Sequence, residues 1–365
     1  MRERWALGTM TGTSLDALDV SLIRASGEGL SMRVQIEAHA THDLGGLRPR
    51  LRAAAEGAAL SARDFASLAL DFGRLHAQAM QAMAGERRID LAAIHGQTIF
   101  HAPPLSWQLV NPWPVAHALH CPVVSDLRGA DLALGGQGAP ITPLADWILF
   151  RDSAPQVIVN LGGFCNITWL PGADATLDAI GGADVCPCNH LLDAAARTAL
   201  QQPFDRDGAC AASGTPSPDA RDELLALLEH TTRAGRSLGT GDEAVTWVAR
   251  HARSLRPADL LATTCDAIGS HIGATAMLRA PAAQQLVLAG GGARNRALCV
   301  SMQRGAGGVP THHSADRGVP VEARESAEMA VLGLLALDGV PITLPAVTRR
   351  GATHARDGLW CLPAT

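Results

Sequence analysis

The stretch that most constrains this chain lies near its start, where the apolar run WALG enters the small polar segment GTMTGTSLDALDV, Gly8 to Val20. The element after the Gly/Thr/Ser turn decides the fold. Leu18, Val20 and Leu22 alternate with Asp19, Ser21 and Ile23, the period of a strand rather than a helix. Dinucleotide-binding and P-loop units place a helix directly after their glycines. Here a strand comes next, so the turn closes an antiparallel pair. The same grammar returns in VIVNLGGFCNITWLP, Val157 to Pro171, where one strand runs into Gly162-Gly163 and a second leaves it. The recurrence predicts two related halves. A third glycine cluster differs: QLVLAGGGARNRALCVSM reads as a strand, then Gly290 to Gly292, then a helix opened near Asn295, a good capping residue.

Helices are expected between these units. RDFASLALDFGRLHAQAMQAMAG has apolar residues at three and four spacing and stops at Gly85. HLLDAAARTAL follows Asn189, read as its N-cap. EARESAEMAVLGLLALDGV is amphipathic at first and then apolar all round, as a buried helix is. GADLALGGQGAPITP, Gly129 to Pro143, is rich in Gly and Pro and reads as a hinge or interdomain turn. Strands alternating with helices give an α/β class.

Composition removes several functions. The chain has no Lys, so all 30 of its Lys-plus-Arg cations are Arg. That excludes Walker-A chemistry, Schiff-base catalysis and a protein kinase built on a strand lysine. A net charge of −5 gives no basic excess for a nucleic-acid partner. No apolar run is long enough to cross a membrane, and the first one is too short for a signal-peptide core, so a cytoplasmic protein is expected. The 8 cysteines are scattered without C-x-x-C spacing and read as free, mostly buried thiols. With 365 residues, of which 47% are hydrophobic, the chain has material for two domains with a large core.

Three glycine units in this order, with acids beside them, look like the sugar kinase–Hsp70–actin superfamily. Seven motifs in order bring the likeness closer: GTMTGTSLDALDV, HGQTIFHAP, VVSDLRGADLALGGQGAPITP, VNLGGFCNIT, FDRDGACAASG, AGGGARN and LPAVTRRGA. Over nearly its whole length the chain resembles the anhydro-N-acetylmuramic acid kinase family. That resemblance implies a two-domain, ribonuclease H-like α/β fold with a central cleft. Residues 1–130 with 341–365 are expected to form a lobe with the first phosphate hairpin. Residues 131–340 are expected to form a lobe with the second hairpin, the catalytic acid and the adenosine turn. The implied activity uses ATP and Mg²⁺ to phosphorylate the 6-oxygen of 1,6-anhydro-N-acetylmuramic acid. The anhydro bridge is hydrolysed in the same step, giving N-acetylmuramic acid 6-phosphate and ADP for cell-wall recycling. The resemblance also suggests a homodimer. Another sugar as substrate, or a weakened nucleotide-binding relative, are the competing readings.

The site residues come from matching the motifs. The first hairpin supplies Gly12, Thr13, Ser14, Leu15, Asp16, Ala17, Leu18 and Asp19, with Asp16 assigned to Mg²⁺, directly or through water. The alternative is an ordinary turn. Gly162, Gly163, Gly291 and Gly292 complete the nucleotide set. Asp184, in ADVCPCN, matches the family's acid and is implied as general base for the attacking water. Its alternative is a helix N-terminal acid held by the dipole. Cys186 and Cys188 stand where the family has glycines. They read as tolerated variation, as a redox or metal C-x-C, or as a damaged site. His95 and Gln97, with Thr98, are expected at a strand end and assigned to the sugar, the alternative being a buried hydrogen-bonded histidine. Arg128 is assigned to the lactyl carboxylate or to a surface ion pair. Glu325 is assigned to the sugar or to a solvated helix face beside Glu322 and Glu328. Asp205 and Asp207 are read as turn formers.

Overall fold

A computed structural model describes residues 3–12, 15–172, 175–233, 242–351 and 356–363. The chain divides into two compact units: Met1–Arg151, Leu177–Ile180 and Gly318–Thr365 form one, Asp152–Thr176 and Gly181–Arg317 the other.

The first unit is built on strands β1 Glu3–Met10, β2 Ala17–Ser26, β3 Arg33–Asp43, β4 Leu91–Ile94, β7 Val123–Ser125 and β13 Leu359–Cys361. Between β4 and β7 the strands β5 Gln97–Ala102 and β6 Leu105–Leu109 make a separate hairpin. The main sheet runs β13-β7-β4-β1-β2-β3. Its first three strands form an antiparallel meander, and β4 and β7 add in parallel on the far side of β1. The second unit repeats this plan with β8 Gln156–Leu161, β9 Phe164–Leu170, β10 Gly181–Pro187, β11 Gln285–Ala289 and β12 Thr311–His313, in the order β10-β9-β8-β11-β12. Here too the first three strands are antiparallel and the next two parallel. The recurrence of strand–glycine–strand therefore does mark two halves of one design, with the ribonuclease H-like strand order in each.

The period of two in β2 sorts its faces. Leu18, Val20 and Leu22 join Leu7 in a core closed by Phe72 and Met80 of the helix Ala62–Ala84. That helix starts on a capping box between Ser61 and Asp64 and stops at Gly85, whose φ of 59° favours glycine. The opposite face of the sheet carries the helix Arg324–Leu337. At Gly8 the two approach so closely that a Cβ would lie 2.1 Å from the Ser326 carbonyl oxygen. Ser21 Oγ lies 2.7 Å from Ser326 Oγ across the same seam.

The unit boundaries fall at Arg151/Asp152 and Arg317/Gly318, away from the expected 130 and 340. The reason is packing. The helix Arg324–Leu337 rests on β1, β2 and β4, and the helix Pro143–Phe150 packs against it. The Gly/Pro-rich segment 129–143 is not a link between units. It lies within the first one, where Asp131 Oδ2 accepts the Gly138 N–H at 2.7 Å and Asp131 Oδ1 accepts the Thr348 hydroxyl at 2.6 Å.

The first turn of Arg324–Leu337 also departs from expectation. It is buried rather than amphipathic, because Arg324 grips Asp146 with Nε at 3.0 Å and Nη2 at 2.6 and 2.7 Å from its two oxygens. Glu328, one turn along, lies 2.8 Å from Arg324 Nη2. Side chains of all three are at most 2% exposed. Burial pushes the Glu328 carboxyl well above its ordinary range, against the opposing pull of Arg324.

Candidate functional site

In the first unit the β1–β2 turn carries the matched hairpin. Thr13 and Ser14 lie outside the described residues. Leu15 adopts a φ of 57° and donates its N–H to the Gly12 carbonyl at 3.1 Å, closing a tight turn. The side chains of Leu15 and Leu18 point into the core and anchor the loop. Gly12 and Ala17 are half-buried. Asp16 is exposed, and its carbonyl accepts from the Arg48 guanidinium. Asp19 is half-buried, opposite Met10 in the ladder, and accepts the Thr41 hydroxyl at 2.6 Å. Burial raises its carboxyl, while Thr41, His39 and His42 pull the other way. The Thr11 hydroxyl beside the turn is buried and has no partner. An orphaned donor at a hairpin of small residues fits a phosphate or a metal-bound water. One exposed carboxylate fits Mg²⁺, which needs only one or two and keeps several waters. Among the described residues no group of three or more His, Cys, Asp and Glu is arranged to hold a metal ion.

Further along the first unit, β4 is buried end to end and delivers His95 at its tip. His95 Nδ1 lies 2.9 Å from the Gly96 carbonyl, and Nε2 accepts from Arg128 Nε at 3.1 Å and lies 2.8 Å from Nη2. Burial, then the Arg128 charge, pushes the imidazole down to about 3. Arg128 Nη1 also donates to the Gly138 carbonyl at 2.6 Å, so a buried ring and a backbone carbonyl are both among the groups that hold it. Gln97 is 1% exposed, and its Oε1 has no partner, the mark of an acceptor waiting for a donor. Glu325 is half-buried in the first turn of Arg324–Leu337, next to the Arg324–Asp146 pair. The solvated-face alternative fails for its neighbour Glu328, which is fully buried.

In the second unit two glycine turns converge. The Gly162 and Gly163 carbonyls accept the N–H groups of Asn189 and Cys188 at 3.0 and 2.9 Å. The helix Asn189–Leu200 therefore starts on the β8–β9 turn, with Cys188 as its N-cap in place of Asn189. Asn189 instead spends its amide on the Leu161 carbonyl at 2.9 Å. The third turn packs on the same residues. A Cβ on Gly292 would lie 2.7 Å from Asn189 Oδ1 and 2.9 Å from Leu161 Cβ, whereas one on Gly291 would meet nothing nearer than 3.8 Å. The N-cap read at Asn295 is present: its side chain accepts the Leu298 N–H at 3.0 Å. Beside these turns opens a cavity of about 220 Å³ whose lining includes Asp193, Phe204, Asp207, Gly291, Gly292 and Arg294. Asp205 accepts the N–H groups of Cys210 and Ala211, each at 2.9 Å, at the start of the short helix Ala209–Ala212, in keeping with its reading as a turn former. The motifs FDRDGACAASG and AGGGARN, which contain Phe204, Asp207, Gly291, Gly292 and Arg294, pointed to this cavity, whereas Asp193 carries no sequence signal of its own.

Asp184 sits in β10 opposite Asn166, at a bulge that leaves Val185 as the extra residue. The residue is exposed. It is a strand residue, so the helix-dipole alternative falls away. Cys186 and Cys188 are buried, and neither has a positive φ, so the glycine-to-cysteine changes impose no left-handed strain. Burial raises the thiols of Cys165, Cys186 and Cys188, and they pack as small hydrophobes.

The two turn glycines separate structure from ligand contact. Gly292→Ala is expected to lose about 1–3 kcal/mol of stability through overpacking at Asn189 and Leu161. Gly291→Ala is expected to melt like the parent, since its Cβ would meet nothing nearer than Asn189 Nδ2 at 3.8 Å, and, with this turn expected beside the adenosine, to bind ATP more weakly. Thermal melts and ATP titrations of both variants check this. Equal melting of the two would contradict it.

A family model described as anhydro-N-acetylmuramic acid kinase matches residues 4–357. An anhydro-N-acetylmuramic acid kinase of Salinibacter ruber is 34% identical, over 96% of this chain and 94% of that protein. Its counterpart from Picosynechococcus is 33% identical over 94% and 95%. Among solved structures, a ROK family glucokinase of Streptomyces griseus in complex with glucose and AMPPNP is 12% identical and aligns over 90% of this chain and 99% of its own, with a TM-score of 0.43. With the repeated strand order, the converging glycine turns and this match along almost the whole sequence, the chain belongs to the anhydro-N-acetylmuramic acid kinase family.

Proposed function

We propose that this kinase converts 1,6-anhydro-N-acetylmuramic acid, ATP and water to N-acetylmuramic acid 6-phosphate and ADP, as a cytoplasmic homodimer serving cell-wall sugar recycling. The observation that carries the reading is the family match over residues 4–357. The geometry of each unit supports it. Gly162, Gly163, Gly291 and Gly292 border the nucleotide, with the base in the cavity beside Gly291. The first hairpin, from Gly12 to Asp19, is the phosphate turn, with the buried, unpartnered Thr11 hydroxyl beside it. Asp16 is the Mg²⁺ residue, and the ion when bound neutralises phosphate charge.

In the proposed step Asp184 takes a proton from water as its oxygen bonds to the anomeric carbon. The bond from that carbon to the bridge oxygen breaks, and the bridge oxygen receives the γ-phosphoryl group, releasing ADP. An exposed strand carboxylate at a bulge is reachable by water, which the role demands. Arg128 reads the lactyl carboxylate, and Gln97 Oε1 and Glu325 take sugar N–H or O–H donors. Nothing in the placement of Cys186 and Cys188 favours a weakened relative. Side-by-side turnover of the anhydro sugar, N-acetylglucosamine and glycerol tests the reading. The expected result is ADP release with the anhydro sugar alone. Faster turnover of either other acceptor would move the chain to a different substrate.

A further inference from the structure

We infer that Phe204 and Asp207 read the nucleoside of ATP, the ring by stacking on the base and the carboxylate by accepting a hydrogen bond from a ribose hydroxyl. The inference rests on the proposed placing of the base in the cavity beside Gly291, and adds to it the two side chains that select a ribonucleotide. Both line that cavity. Phe204 is 48% exposed, an aromatic ring left open where a flat apolar group can lie on it. Every base has a π-face, and stacking on an aromatic side chain needs no hydrogen bond from the protein. The Arg206 guanidinium carbon stands 5.8 Å from the ring centroid and steadies the ring.

The turn that carries both residues is clamped to the third glycine turn. The Asp205 carboxylate holds the N–H groups of Cys210 and Ala211, and the Asp205 carbonyl accepts the Gly208 N–H at 3.1 Å. Gly208 has a φ of +69°, and a Cβ there would lie 2.1 Å from Asn295 Oδ1, so the turn packs directly on Asn295. Asn295 donates its own N–H to the Gly292 carbonyl at 3.0 Å and caps the helix Arg296–Gly305. Phe204 and Asp207 are therefore held in a fixed relation to Gly291 and Gly292.

Among the charged side chains of the cavity wall, Asp207 stands apart. Asp205 is committed to two N–H groups, and Asp193 and Arg294 are both engaged. Among the described residues none hydrogen-bonds or ion-pairs with the Asp207 carboxylate. Its backbone has a φ of 55°, a left-handed conformation that aspartate tolerates best when its side chain bonds the backbone nearby. No such bond is made here, so the local reason for an aspartate is missing. A carboxylate only accepts, and it repels a phosphate, whereas a ribose offers adjacent hydroxyl donors without charge. Dinucleotide-binding folds use an acidic residue on a ribose hydroxyl for the same chemical reason.

The test measures dissociation constants of ATP, 2′-deoxy-ATP and 3′-deoxy-ATP by calorimetry on the full chain, with thermal melts alongside. The parent is expected to bind ATP about 10- to 100-fold more tightly than at least one deoxy analogue, the range for a hydrogen bond to a charged group. Asp207→Gly keeps the left-handed backbone and removes the carboxylate. It is expected to weaken ATP to the level of that analogue and to leave the analogue within about threefold. Asp207→Asn keeps an acceptor without the charge, so it should narrow the preference, and it keeps the question answerable where the Gly variant folds poorly. Phe204→Leu should weaken all three nucleotides alike, about 5- to 150-fold, and Phe204→Trp should hold most of the affinity. A parent that binds both deoxy analogues as tightly as ATP would overturn the inference, as would an unchanged preference in either Asp207 variant. ATP affinity untouched by both Phe204→Leu and Asp207→Gly would remove the base from this cavity, and the inference with it, while sparing the kinase reading. A parent that binds no ATP would sink the kinase reading and this inference together.

Discussion

Asp184→Asn loses turnover by about two to four orders of magnitude, the usual contribution of a general base, while its melting temperature stays that of the parent. Both halves of this expectation come from position. Asp184 is an exposed residue of β10 and Asn keeps its shape, so the amide is expected to be tolerated by the fold. The amide cannot accept a proton from water, so attack on the anomeric carbon lacks its base. Binding of nucleotide and sugar should change little, which places the loss in kcat. An Asn variant with parental kcat would remove Asp184 from the chemistry and leave the bulge between Asp184 and Cys186 without a role.

Arg324→Ala has the largest expected effect on stability. It leaves the Asp146 carboxylate fully buried without its counter-charge, at a cost of about 3–5 kcal/mol. For a unit of this size that is a fall of roughly 6–20 °C in melting temperature. Burial pulls the Arg324 guanidinium down, but its acidic neighbours, Asp146 first, outweigh that and hold it above its ordinary range, so no change of pH within the stable range discharges it. Glu328 behaves oppositely. Its folded-state pKa lies well above the 4.5 of a free glutamate. The neutral acid thus contributes fully below pH 4.5, and that contribution drains away as pH rises through the folded value. Glu328→Gln should track the parent in acid and outlast it as pH rises, with the gap widening by about 1.4 kcal/mol per pH unit until the folded value is reached. Chemical denaturation of both variants from pH 4 upward checks the pair. Parental stability for Arg324→Ala would show that Asp146 is not held as a buried anion.

The sequence carries the skeleton of this account because its strongest signals are local. A strand after Gly12 in place of a helix, repeated after Gly163, is enough to separate the fold from P-loop and dinucleotide-binding designs, and both hairpins are present. The stop at Gly85 and the cap at Asn295 are equally local, and they too are present. The features hidden from a linear reading depend on distant partners. Arg324, Asp146 and Glu328 are charged residues that such a reading puts on a surface, and only two packed helices bring them together in the core. Asn189 has the chemistry of an N-cap, but the Leu161 carbonyl competes for its amide and Cys188 takes the cap position. Asp131 and Thr348, far apart in sequence, turn a Gly/Pro-rich segment from an apparent hinge into a pinned loop. Arg128 and His95 each stand out in the sequence, yet their pairing is a tertiary fact.

The central claim is that one reaction both opens the anhydro bridge and phosphorylates the freed oxygen. The most direct measurement is the mass of the sugar product formed from 1,6-anhydro-N-acetylmuramic acid and ATP, alongside ADP release. The account predicts one ADP per sugar, and a product heavier than the substrate by one phosphoryl group together with one water. A product carrying the phosphoryl group without the water, or ADP formed at the same rate with no sugar present, would contradict it.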